Sequence, residues 1–117
     1  MTRRAVVLVA LCAASPALAE DQPLGSDKAL HFTACTGIAA AAYAGSWLMG
    51  QPVEARLATG MGLALIAGVV KELYDVRGNG TPSMYDVAWD LAGAVTGTAL
   101  AWLGDWLVTR WRESLAR

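Results

Sequence analysis

Charge is scarce in this 117-residue chain: Asp, Glu, Lys and Arg make up 16% of it, against 56% hydrophobic residues. Nine basic side chains against ten acidic ones leave a formal net charge of −1, so no basic field exists to hold nucleic acid. There are only two cysteines, Cys12 and Cys35, at a spacing that matches neither a metal-ligand nor a redox motif. A single histidine, His31, with scattered carboxylates is a weak metal signature. No serine stands in the context of a Ser-His-Asp triad. The glycines of Gly78-Asn79-Gly80 read as a turn rather than a phosphate loop.

Against that scarcity, the charges that are present crowd together. The stretch KELYDVRGNGTPSMYDVAWDLAGAVTG, residues 71–97, gathers Lys71, Glu72, Asp75, Arg77, Asp86 and Asp90 around one Gly/Pro-rich turn, with apolar sequence on both sides. Charged groups are costly beside long apolar helices, so their concentration at one turn requires a cause.

Residues 1–19 carry the pattern of a signal peptide. Arg3 and Arg4 form its basic start, Ala5 to Ala14 its apolar middle, and Ala17-Leu18-Ala19 a small-x-small cleavage site before Glu20. A retained anchor and lipidation at Cys12 are the alternatives. Residues 20–25 then form a polar linker, and residues 26–117 a three-helix membrane domain.

Ser26 is the expected N-cap of the first helix, with Asp27 at its positive end. From Ala29 to Met49 the chain is apolar apart from His31 and small hydroxyls, long enough to span a bilayer. Gly50-Gln51-Pro52 breaks it. A second helix is expected from Pro52 to Val76, uncharged between Leu57 and Val70. After the turn, Ser83-Met84-Tyr85-Asp86 fits a capping box with Asp in place of Glu. The third helix continues through Trp102 toward Trp111. Each helix also carries a stripe of small residues four apart: Gly37/Ala41/Gly45, Gly60/Ala64/Gly68 and Gly93/Gly97/Ala101. Such stripes let helices approach closely in lipid, which predicts an all-α, up-down-up membrane bundle.

Arg56, Arg110, Arg112 and Arg117 fall at one end of that bundle, which the positive-inside rule reads as cytoplasmic. The other end, facing the periplasm, gathers Asp27, Lys28 and His31 with Lys71, Glu72, Asp75, Asp86 and Asp90. At about 100° per residue, Glu72 and Asp75 lie within ~40° of the Gly60/Ala64/Gly68 stripe, and Asp86 and Asp90 within ~60° of Gly93/Gly97. The carboxylates are therefore expected to point inward. His31 lies about 120° from the stripe of its own helix, which makes it the weaker member.

Five acidic groups (Asp27, Glu72, Asp75, Asp86, Asp90) face three basic ones (Lys28, Lys71, Arg77). A divalent cation held by His31, Glu72, Asp75, Asp86 and Asp90 would cancel the excess. Shared protons or exposure to water would do so too. The structural alternative is a lock of ion pairs, such as Lys28 with Asp75, joining three helix ends. No other cofactor is implied.

DKALHF at 27–32, KELYD at 71–75 and YDVAWDLAGAVTG at 85–97 resemble the YfiM-like family of bacterial lipoproteins. The family pattern is DKxxHF, KExxD, a Gly-rich turn and D-x-x-W-D-x-x-G. The resemblance covers most of the chain after residue 20 and implies a small envelope protein of undefined biochemical role. At Cys12 the chain departs from it, because bulky Leu11 stands where a lipid-carrying cysteine is preceded by a small residue. More distantly, His31, Glu72, Arg77, Asp86 and Gly93/Gly97 are similar to the VanZ-like membrane proteins linked to glycopeptide resistance. Those usually carry Asn at the position of Asp90.

The expected function is that of an inner-membrane envelope protein. Its periplasmic polar cluster (Asp27, Lys28, His31, Lys71, Glu72, Asp75, Arg77, Asp86 and Asp90) binds a lipid headgroup, an ion or a partner protein. One alternative is a membrane-embedded hydrolase on a lipid-linked substrate, with His31, Glu72 or Asp86 as general acid/base. Another is a soluble periplasmic helical protein with a purely structural charge network.

Overall fold

The computed structural model describes residues 24–117. The expected leader, its Cys12 and residues 20–23 of the linker lie outside the described residues. Within them the chain is all-α: α1 (Ser26–Leu48), α2 (Val53–Tyr74) and α3 (Met84–Leu115). The three run up, down and up, and each packs on the other two.

The breaks follow local chemistry. α1 ends in a Schellman turn, in which Gly50 N donates to Trp47 O and Gln51 N to Ser46 O. Gly50 sits there at φ 72°, a conformation that glycine adopts without strain. α2 unwinds through one π-type turn, Asp75–Asn79, and Gly78 at φ 90° turns the chain out of it. At α3, Ser83 Oγ accepts from Asp86 N as the capping reading requires. The reciprocal bond comes from another helix: Ser83 N donates to Glu72 Oε2, 3.0 Å away. Glu72 thereby ties the end of α2 to the start of α3.

Two expectations about α1 need correction. Its N-cap is Gly25, with no side-chain cap bond, and Ser26 is the first helical residue. Its buried face is not the Gly37/Ala41/Gly45 stripe but Lys28, His31, Cys35, Ala39, Tyr43 and Ser46. A methyl group added at Gly37 or Gly45 would meet nothing within 4 Å. The closeness comes from the neighbours. A Cβ at Gly93 would press on Phe32 O and Cys35 Cβ, one at Gly97 on the Thr36 backbone, and one at Gly60 on Ala39 O and Thr98. α2 and α3 supply the grooves, and the backbone of α1 lies in them.

Val53–Asn79 and Met84–Leu115 are long and apolar enough to cross a membrane. Three such spans were expected from the sequence; α1 is not among those two, because His31, its threonines, Tyr43 and Ser46 lower its hydropathy. α1 is the element whose polar side chains the other two helices cover.

Candidate functional site

Three helix ends converge where α1 begins, α2 ends and α3 begins. Each contributes charged side chains at helical spacing, so they fall on its inner face: Lys28 and His31, Lys71 and Asp75, Asp86 and Asp90. All six are buried, His31 to 1% exposure and Asp90 to 3%. Glu72 and Asp27 are half-buried at the edge. Arg77 lies exposed in the π turn, apart from the cluster.

Asp86 is the hub. Its Oδ1 accepts from Lys28 Nζ at 2.5 Å and its Oδ2 from Lys71 Nζ at 2.9 Å, while His31 Nε2 lies 3.3 Å from Oδ2. Lys28 also reaches Asp27, 2.9 Å away. Lys71, rather than Lys28, holds Asp75, at 2.5 Å. The ion-pair lock expected from the sequence therefore exists with different partners. Buried charges persist only when paired in this way, because removing one partner strands the other in a medium of low dielectric.

His31 stands between two carboxylates, with Nδ1 2.8 Å from Asp90 Oδ1 and Nε2 facing Asp86. By its angle on α1 it is the weaker member of the cluster; in the structure it is central, bridging two carboxylates. That angle refers to a small-residue stripe that α1 does not use for packing. With both ring nitrogens against carboxylate oxygens, a substrate proton would reach His31 only after one of these contacts broke. Cys35 Sγ adds a weak donor to Asp90 Oδ1 at 3.3 Å.

Glu72, Asp75 and Asp86 bring ligand oxygens within 4.8 Å of one another, a grouping able to hold a metal ion. The Lys71 ammonium stands among the same three, 2.5 Å from Asp75, 2.9 Å from Asp86 and 3.7 Å from Glu72. This lysine already supplies the positive charge that a metal would bring. His31 links that triad, through Asp86, to Asp90.

A second polar cluster lies toward the other end of the bundle, and sequence reasoning missed it. Asp105 Oδ2 accepts from Tyr43 OH at 2.7 Å and from Arg56 Nη1 at 2.6 Å, joining all three helices. Its signal was available: a lone carboxylate within an otherwise apolar stretch of helix calls for a partner. Nearby, Arg110 stacks over Trp106 at 5.4 Å and Arg112 over Trp47 at 5.9 Å. Tyr43→Phe removes one of the two bonds to Asp105 and leaves Arg56 in place. The expected cost is about 1 kcal/mol, read as a small drop in the midpoint of thermal unfolding in detergent.

Comparison with protein-family models, with curated proteins and with solved structures returns no match for this chain. The functional reading therefore rests on the residues themselves.

Proposed function

We propose that this chain is a small integral membrane protein of the bacterial cell envelope, as the YfiM-like resemblance implies. Its charged cluster faces the periplasm, and the excess of carboxylates there serves to bind a cationic ligand, an ion or a headgroup. The observation that carries this reading is the inverted distribution of polarity. The buried side chains include Lys28, His31, Lys71, Asp75, Asp86 and Asp90, whereas Leu63, Ile66, Val69, Leu73, Leu91, Val95, Leu100, Leu103 and Leu107 are exposed. Water would drive the opposite arrangement, and apolar patches of this extent belong against lipid or a partner. In a bilayer, charges turn inward and pair, and leucine turns outward.

Five carboxylates (Asp27, Glu72, Asp75, Asp86, Asp90) gather with two ammonium groups and one imidazole, since Arg77 stands apart. That imbalance favours a cationic ligand. An acid–base enzyme is less well supported, because His31 and Asp86 already engage each other and the two lysines.

The test is extraction and labelling. The protein should stay in the membrane pellet after a carbonate wash. A cysteine introduced by Asn79→Cys should react in intact cells with a membrane-impermeant maleimide, while one introduced by Gln51→Cys should react only after lysis. Release by carbonate would restore the soluble periplasmic reading. The reverse labelling pattern would invert the orientation.

A further inference from the structure

We propose that the groove between α1 and α3, at the end of the bundle away from the charged cluster, holds an anionic phospholipid. An acyl chain lies in the groove and the phosphate rests on Arg112. This inference rests on the membrane reading above. The groove measures about 210 Å³, with Ala44, Trp47, Ala101, Gly104 and Val108 as its apolar walls. Tyr43 and Asp105 also line it, but their polar atoms are joined to each other, and Asp105 to Arg56 as well. What remains is a hydrocarbon surface. It opens on the side assigned to lipid, where Ala44, Gly104 and Val108 are exposed. Gly104 leaves the space: a Cβ added there would meet nothing within 4 Å.

The headgroup follows from charge and depth. Ala101, Asp105, Val108 and Arg112 fall at helical spacing on one face of α3, so Arg112 stands at the outer end of the groove. Its guanidinium lies 5.9 Å from the ring of Trp47, itself a wall of the groove. The stack holds the guanidinium and leaves its N–H groups free at the edge. Among the described residues no acceptor meets them. Arg112 follows Asp86 by 26 residues, about 39 Å along the helix. A hydrocarbon core is about 30 Å thick, so a bundle with Asp86 at one surface puts Arg112 among the phosphates of the other. Phosphate accepts two parallel bonds from a planar guanidinium. The same end carries Arg110, Arg112 and Arg117 against Glu54 and Glu113, since Arg56 is paired with Asp105. That surplus favours an anionic lipid, whereas the trimethylammonium of phosphatidylcholine adds a positive charge that the arginines repel.

Purified full-length protein in a neutral detergent would be titrated with phosphatidylglycerol and with phosphatidylcholine of the same acyl chains. Bound molecules would be counted by native mass spectrometry. The proposal expects a saturable phosphatidylglycerol site, about fivefold or more tighter than for phosphatidylcholine. Arg112→Gln should remove that preference. Arg117→Gln deletes the same charge past the end of α3 and should leave the preference intact. Gly104→Leu, which fills the groove and changes no charge, should weaken both lipids about tenfold, while the protein keeps or raises its melting temperature. Equal binding of the two lipids overturns the proposal, as does full phosphatidylglycerol binding by the folded Gly104→Leu protein. Equal losses from Arg112→Gln and Arg117→Gln would mean diffuse surface charge instead of a site, and overturn it too. Carbonate extraction decides the membrane reading separately; the detergent titration decides the groove whichever way that falls.

Discussion

Lys71→Met is expected to be the most damaging single substitution in the chain. Methionine keeps the length and apolar stem of lysine and deletes only the ammonium, so any loss reports on charge rather than packing. In the native cluster that ammonium lies 2.5 Å from Asp75, 2.9 Å from Asp86 and 3.7 Å from Glu72. Without it, three carboxylates whose oxygens lie within 4.8 Å of one another share a buried space where only Lys28 and His31 remain to face Asp86. Breaking a buried ion pair by removing one partner costs about 3–5 kcal/mol. A comparable fall in unfolding free energy in detergent, with a matching loss of protein from the membrane, is the expected result. The variant makes a second, sharper prediction. The emptied triad then has the donor set of a divalent-cation site, so millimolar magnesium or calcium should raise the melting temperature of Lys71→Met and leave the wild type unmoved. A variant as stable as the wild type would show that Lys71 is not the counter-ion of the triad. Equal stabilisation of both proteins by the metal would place the metal elsewhere.

The cluster was legible in the sequence because charge is conspicuous in apolar helices. Helical spacing was enough to turn Asp75, Asp86 and Asp90 inward, as they are. Spacing could not choose partners. Lys28 was expected on Asp75, yet it meets Asp86, and Lys71 takes Asp75, because the axial offset between helices is set by packing and not by any one helix's own periodicity. Arg77 was counted with the cluster on its position in the chain, but the π turn and Gly78 carry it outward. Ser83 was read correctly as a cap. Its reciprocal partner could not be read, because Glu72 lies eleven residues away and reaches Ser83 only once α2 and α3 are antiparallel. Asp105 shows the complementary failure. A single carboxylate among Trp, Leu and Gly raised no local pattern, although the cost of leaving it unpaired implied the bonds to Tyr43 and Arg56 that the structure contains.

Small residues four apart gave a sound signal in two helices and a misleading one in the third, and a pair of alanine substitutions separates the cases. Gly97→Ala should destabilise the bundle by about 3 kcal/mol, at the upper end of the cost of overpacking. The new methyl would overlap the Thr36 carbonyl, and that obstacle is helix backbone, which cannot rotate away as a side chain can. Relief requires α1 to withdraw from α3. That withdrawal would stretch the contacts from His31 to Asp86 and Asp90, since His31 and Asp90 lie within about two turns of the crossing and Asp86 within about three. Gly37→Ala should behave in the opposite way. Its methyl meets nothing within 4 Å on an exposed face of α1, so only backbone entropy changes, and the helix should gain up to about 1 kcal/mol. Chemical denaturation of both variants in the same detergent checks the contrast. Equal destabilisation by the two would mean that the Gly37/Ala41/Gly45 stripe is itself a packing surface, occupied by a second copy of the chain or another membrane helix. Opposite signs would show that α1 is held by the glycines of its neighbours, leaving its own stripe free to face lipid.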